Sequence, residues 1–120
     1  MAEYQLGVME SKFAEMVWTR APISTAELVK RCEAELNWKR TTTYTVLKRL
    51  CEKGLFEMQN GTVTALIDRD TFYARQSRQY VDTAFHGSLP AFLAAFTGGL
   101  RLTAEEAAEL RAMIEQAEEG

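Results

Sequence analysis

The dipeptide Asn60-Gly61 most constrains the fold, because it lies between two short runs that lack helical spacing. A tight two-residue hairpin turn needs positive φ at both central positions, which Asn and Gly tolerate better than other residues. The flanking runs, residues 55–59 and 62–67, are therefore predicted to pair as a β-hairpin. Before residue 55 the apolar residues recur at helical spacing, so the hairpin follows a helical segment.

Three short helices are predicted before this hairpin. The first covers about residues 5–19, where the apolar residues form one stripe. The second covers about 25–36 and opens with a capping box at Ser24, and the third covers about 41–53. Three helices followed by a hairpin is the order of a winged helix-turn-helix. In that fold the third helix enters the major groove of DNA, and the hairpin lies beside it as a wing.

A helical tail is predicted after the hairpin. Asp70 is predicted to cap a helix that runs to about Phe85. Ser88 is predicted to cap a short helix over residues 89–97, and a capping box at Thr103 is predicted to open the last helix. The predicted fold class is therefore mainly α with a small β-hairpin.

The chain is predicted to have two functional parts: a winged helix-turn-helix DNA-binding domain over residues 1–67, and a helical dimerisation region over residues 68–120. The tail is rich in large apolar residues for a segment with so few helices, and exposed apolar patches usually mark association. An alternative is that the tail folds back on its own domain. The residues predicted to form the dimer interface are Phe72, Phe85, Leu89, Phe92, Leu93, Phe96, Leu110, Met113 and Ile114.

The third helix has two chemically distinct faces. Its core face consists of Thr43, Val46, Leu47 and Leu50. The set shifted by two residues, about 200° around the helix, consists of Thr41, Tyr44, Thr45 and Lys48. This second face carries hydroxyls, a phenol and an amine but no carboxylate, which suits base edges and phosphates. The residues predicted to contact DNA are Lys39, Arg40, Thr41, Thr42, Tyr44, Thr45, Lys48 and Asn60.

Charge is unevenly distributed along the chain, whose net charge is −3. Between Lys30 and Lys53 there are seven basic residues and three acidic ones, whereas residues 81–120 hold two basic and seven acidic ones. The overall balance excludes a protein coated in positive charge, but the basic segment suits DNA. A winged-helix interaction or adaptor module without sequence-specific DNA binding is the alternative at this point.

The segment from Trp38 to Leu55, WKRTTTYTVLKRLCEKGL, resembles the penicillinase and methicillin-resistance repressors (the BlaI/MecI/CopY family). The resemblance extends over nearly the whole chain. It implies a transcriptional repressor that binds a palindromic double-stranded DNA operator as a homodimer, with no enzymatic activity and no cofactor.

The same resemblance implies that a sensor-linked protease relieves repression by cleaving an Asn-Phe bond in the tail. The aligned bond in this chain is Ala95-Phe96, so the Asn is missing. Copper-responsive members carry Cys-x-Cys motifs in the C-terminal part, and this chain has no cysteine after Cys51. The inducer is therefore left open, and cleavage near Ala95-Phe96 is a hypothesis that rests on the resemblance alone. Cys32 and Cys51 are interpreted as buried structural thiols.

Other function classes find little support in the sequence. It has no Gly-rich phosphate loop, nucleophile elbow or metal-spaced cluster, so no catalytic residue and no metal ligand is predicted. The uncharged stretch 83–100 contains too short an apolar run to span a membrane. Two cysteines are too few for a disulfide scaffold, and no signal peptide is visible, so a cytoplasmic location is expected.

Overall fold

The computed structural model describes residues 4–119, and its elements confirm a mainly helical fold with a small sheet. The elements are α1 (Val8–Arg20), β1 (Ile23–Ser24), α2 (Thr25–Leu36), α3 (Arg40–Glu52), β2 (Phe56–Gln59), β3 (Thr62–Ala65), α4 (Arg69–Phe85), α5 (Leu89–Thr97) and α6 (Ala104–Glu119). The chain forms two compact units. The N-terminal unit ends at Gln79, and the C-terminal unit begins at Tyr80.

The predicted hairpin is confirmed, and β2, β3 and their turn are called the wing below. Asn60 and Gly61 both have positive φ, at 51° and 75°, as a two-residue hairpin turn of this kind requires. The sheet also has a third strand, β1, which was not predicted from the sequence. β1 pairs antiparallel with β3, which gives the strand order β1-β3-β2. The Thr25 amide also donates to the Gly61 carbonyl at 2.9 Å, so the wing turn is joined to the start of α2.

The core of the N-terminal unit is built from all of its helices and from the sheet. The predicted core face of α3 is confirmed, because Thr43, Val46, Leu47 and Leu50 are all buried. They pack among Phe13, Val17, Leu28, Cys32, Leu55, Phe56, Val63 and Phe72. The Trp18 indole, at the edge of this core, donates to the Ile67 carbonyl at 3.0 Å and so holds the segment after the wing against α1.

The helix caps are partly as predicted. The side chains of Ser24, Ser88 and Thr103 each accept a hydrogen bond from the amide three residues on, as N-caps do. The predicted cap at Asp70 is wrong. Asp68 accepts from the Thr71 amide at 2.7 Å instead, because α4 already begins at Arg69.

The placement of Phe72 in a dimer interface is also corrected. Phe72 is 0% exposed within its own chain, where its ring lies 5.4 Å from that of Trp18 and 5.8 Å from that of Tyr4. It enters the core because the first half of α4 packs on α1. The N-terminal unit therefore extends twelve residues beyond the predicted boundary at residue 67, to Gln79.

The C-terminal unit is organised around aromatic contacts. Tyr80, Phe85, Phe92 and Phe96 form a chain of ring pairs with centroids 5.6–6.1 Å apart. Much of its apolar surface is nevertheless exposed, and neither α5 nor the described part of α6 contains a buried residue. The large apolar and aromatic residues of this unit that are 55–60% exposed are Tyr80, Leu89, Phe96, Leu100, Met113 and Ile114. Among residues 4–119, no helix combines the length and hydrophobicity that crossing a bilayer requires.

Candidate nucleic-acid interface

The side of α3 that faces away from the core presents a continuous polar surface, called the recognition face below. Its residues are Arg40, Thr41, Thr42, Tyr44, Thr45 and Lys48, with Lys39 at the N-cap. All are exposed except Tyr44, which is half-buried. Seven of the eight residues predicted to contact DNA thus lie together, and the eighth, Asn60, lies apart in the wing turn.

The N-terminal end of the recognition face favours anions. The first turn of α3 contains no acidic residue. The N-cap residue is Lys39, whose side chain has no acceptor for the amides of that turn. Unpaired amides and the helix dipole give such an end a partial positive charge, which stabilises a phosphate. Among the described residues, no ion pair within 4.0 Å includes Lys39, Arg40 or Lys48. The basic groups of this face are therefore available to a partner outside the chain.

The threonines of α3 are not equivalent. The Thr45 hydroxyl donates to the Thr41 carbonyl at 2.9 Å, so its proton is used within the helix and its oxygen can only accept from a partner. Thr43 is buried and donates to the Lys39 carbonyl at 3.3 Å, which places it in the core rather than at the interface. Thr41 and Thr42 are the exposed threonines nearest the helix N-terminus.

Two basic residues at the C-terminal end of α3 bind other parts of the chain. Arg49 flanks the recognition face in sequence, yet its guanidinium binds the Glu10 carboxylate of α1 at 2.8 Å. The Lys53 amine, just past α3, donates to the Gln5 carbonyl at 3.1 Å. These contacts join the end of α3 to the start of α1 and so position the recognition helix. Glu10 was not predicted as a partner of α3, since no local pattern pairs residues 39 positions apart.

The Glu10–Arg49 pair predicts an acid-dependent loss of stability. The Arg49 hydrogen bond, and next the Gly7 amide, hold the pKa of Glu10 below its ordinary value of 4.5. Stability from a lowered carboxylate pKa is fully present above the ordinary value and is lost as pH falls through the folded value. Glu10→Gln is therefore expected to lower the free energy of unfolding by at most about 1 kcal/mol at pH 7, since Arg49 is half exposed and screened by solvent.

Urea denaturation at pH 7 and again near pH 3 measures this effect. The difference between wild type and Glu10→Gln should shrink at the lower pH. Glu33→Gln is the matched control, because Glu33 is exposed on α2, and it should change stability little at either pH. A difference that stays constant between the two pH values would contradict the assignment to this ion pair.

The cysteines are placed as structural residues. Cys32 is fully buried against Met16, and Cys51 is half-buried near the end of α3. Burial raises the pKa of both thiols, and at Cys51 the carboxylates of Glu57 and Glu52 raise the pKa further. A raised pKa leaves less of the reactive thiolate at neutral pH.

The N-terminal unit has three helices followed by a wing, and its third helix bears an exposed basic and hydroxyl-rich face. These features define a winged-helix DNA-binding protein. The model of the penicillinase repressor family matches residues 6–116. The penicillinase repressor of Bacillus licheniformis is 27% identical over 116 residues, which cover 93% of this chain and 91% of that protein. This chain belongs to the penicillinase repressor family and is a DNA-binding transcriptional repressor.

Proposed function

We propose that this repressor acts as a homodimer on a palindromic operator, with α3 of each copy in the major groove. The observation that carries the DNA contact is the recognition face, which has no carboxylate and three cations that make no ion pair with any other residue from 4 to 119. We assign Lys39, Arg40, Thr41, Thr42, Tyr44, Thr45 and Lys48 to that contact, with Asn60 of the wing beside them.

The exposed apolar surface of the C-terminal unit supports the dimer. Leucine, phenylalanine, methionine and isoleucine side chains that are more than half exposed lie on α5, on α6 and in the segment between them. Burying such area stabilises an assembly by about 25 cal/mol per Å². Of the predicted interface, Phe85, Leu89, Phe92, Leu93, Phe96, Leu110, Met113 and Ile114 remain in this proposal, while Phe72 is withdrawn.

A two-fold dimer matches the symmetry of duplex DNA. Two recognition helices reach successive major grooves on one side of the duplex when the half-sites are about 34 Å apart or a multiple of that distance. The acidic C-terminal unit, with two basic and seven acidic residues from 81 to 120, would be repelled by phosphates. That charge distribution favours contact with DNA through the N-terminal unit alone.

We further propose that a sensor-linked protease relieves repression by cleaving near Ala95-Phe96. Both residues are exposed in the last turn of α5, which ends at Thr97 and is followed by Gly98. Helix ends open more readily than helix centres, and opening exposes the backbone to a protease. Immunoblots of the source cells during induction test this proposal. A shorter fragment is expected, and a chain that remains intact while repression is relieved would contradict it.

Paired charge substitutions on α6 test the dimer. Ile114→Glu places a carboxylate on the apolar side of the helix, where dimer formation would bury it. Ala112→Glu adds the same charge at an exposed position about 200° around the helix from both Leu110 and Ile114. We expect sedimentation to show a dimer for wild type and Ala112→Glu and mostly monomer for Ile114→Glu.

Operator binding should follow the oligomeric state. The monomeric variant makes half of the contacts, so its affinity for a two-half-site duplex should fall at least about a hundredfold, as loss of effective concentration implies. Its affinity for a single half-site should stay near that of wild type. An Ile114→Glu protein that is still a dimer, or equal losses in both variants, would contradict the assigned surface.

A further inference from the structure

Arg40 and Tyr44 form a stacked pair on the recognition face. They stand four residues apart on α3, so their side chains are neighbours on one side of the helix. The centre of the Arg40 guanidinium lies 5.5 Å from the centroid of the Tyr44 ring. Arg40 lies in the first turn because α3 begins one residue earlier than the sequence predicted. A residue left in the preceding loop would lack this helical spacing.

This contact holds Arg40 without using its hydrogen-bond donors. A guanidinium over an aromatic face interacts through its charge and its flat surface, so the N–H groups at its rim remain available. Arg49 is the counterexample on the same helix, because the Glu10 carboxylate accepts from its guanidinium. The contact with Tyr44 thus orients the Arg40 guanidinium and leaves its N–H groups able to donate to a partner.

We infer that Arg40 reads a guanine of the operator in the major groove and that Tyr44 is a positioning residue for it. This inference rests on the proposed function, since it requires α3 to lie in the groove. The first turn of a recognition helix is the part that contacts base edges. Guanine presents two acceptors there, O6 and N7, at a spacing that matches two N–H groups of arginine. Alanine at this position would have no donor for either acceptor, so Arg40→Ala removes the readout completely.

One helix face can make both phosphate contacts and base contacts, and the two have different consequences when they are lost. A phosphate contact neutralises charge and weakens all sequences alike when it is lost, whereas a base contact changes the preference at one position. Lys39 and Lys48, which have no stacked aromatic partner in the described part of the chain, fit the phosphate role. Arg40 fits the base role because its orientation is fixed before DNA binds.

The test uses the full-length protein and the duplex that it selects from a random library. The position that depends on Arg40 is found by comparing the selected sequences of wild type and Arg40→Ala. At that position the wild type is expected to prefer guanine by roughly tenfold to a hundredfold, as a bidentate pair does. Replacing that guanine with 7-deazaguanine, which lacks the N7 acceptor but keeps Watson–Crick pairing, should remove most of the preference in wild type and have little effect on Arg40→Ala.

Two variants of Tyr44 separate positioning from direct contact. Tyr44→Phe keeps the aromatic face and should keep the guanine preference within about twofold of wild type, whereas Tyr44→Leu should lower it by about threefold, as loss of an exposed cation–π contact implies. Equal losses in the two variants would show a direct contact by the hydroxyl and overturn the positioning role.

Two outcomes of the selection experiment would overturn the inference. A base preference that is the same in wild type and Arg40→Ala would show a phosphate contact and overturn the role of Arg40 while leaving the proposed function intact. A wild-type protein that selects no sequence at all would overturn both.

Discussion

Reversing the charge of Lys39, Arg40 and Lys48 to glutamate is expected to abolish operator binding. Each substitution removes a charge-assisted contact worth about 1.5–3 kcal/mol and places a carboxylate against phosphates. The three losses together should lower the affinity by at least about a thousandfold at low salt. All three side chains are exposed, so the fold should be retained. Fluorescence anisotropy with a labelled operator measures the affinity, and circular dichroism checks the fold.

The matched control reverses three basic residues of the same unit outside α3. Lys12, Arg75 and Arg78 are exposed on α1 and α4, and their replacement by glutamate changes the net charge by the same amount. This control should reduce affinity far less than the first variant. Equal losses would show that binding depends on overall charge rather than on the recognition face. Both variants should sediment as dimers, because the substituted residues lie outside the C-terminal unit. A lost operator affinity would then not reflect a lost dimer.

Phe72→Ala is expected to destabilise the N-terminal unit severely. The ring is fully buried and packs against the rings of Trp18 and Tyr4 and against the neighbouring Tyr73. Its truncation leaves a cavity beside Trp18 and costs about 3–5 kcal/mol, as buried Phe-to-Ala changes typically do. Small domains have about 5–15 kcal/mol in total, so the variant should unfold at much lower urea or temperature.

Tyr73→Ala is the matched control for this core position. Tyr73 is the next residue on α4 and is 38% exposed, with its hydroxyl donating to the Glu15 carboxylate. Its loss should cost clearly less than the loss of Phe72. A Phe72→Ala protein that keeps its stability but becomes monomeric would restore Phe72 to the dimer interface that the sequence predicted.

Features with a local physical cause were predictable from the sequence. The Asn60-Gly61 turn follows from the rarity of positive φ in other residues, and the two faces of α3 follow from helical periodicity alone. The caps at Ser24, Ser88 and Thr103 follow from the need of the first helical amides for acceptors. These features also place most of the candidate site, because seven of its residues are consecutive or nearly so.

Features that depend on tertiary placement were not predictable. β1 has two residues, too few for any periodicity, and it exists because Ile23 meets Val63. Periodicity shows that Phe72 lies on an apolar stripe but not which core that stripe enters. The Glu10–Arg49 pair joins positions far apart in the chain, and the Arg40–Tyr44 stack depends on a one-residue shift in the start of α3.

We propose that the recognition face of α3 reads a two-fold symmetric DNA sequence as part of a dimer, and selection of bound duplexes from a random library, followed by sequencing, is the decisive test. An inverted repeat is expected, with half-sites about one helical turn of DNA, or a multiple of it, apart. The same selection with the Lys39, Arg40 and Lys48 reversal variant should return no consensus. A wild-type protein that enriches no sequence, or that enriches a single unrepeated site and binds it as a monomer, would overturn this mode of operator recognition.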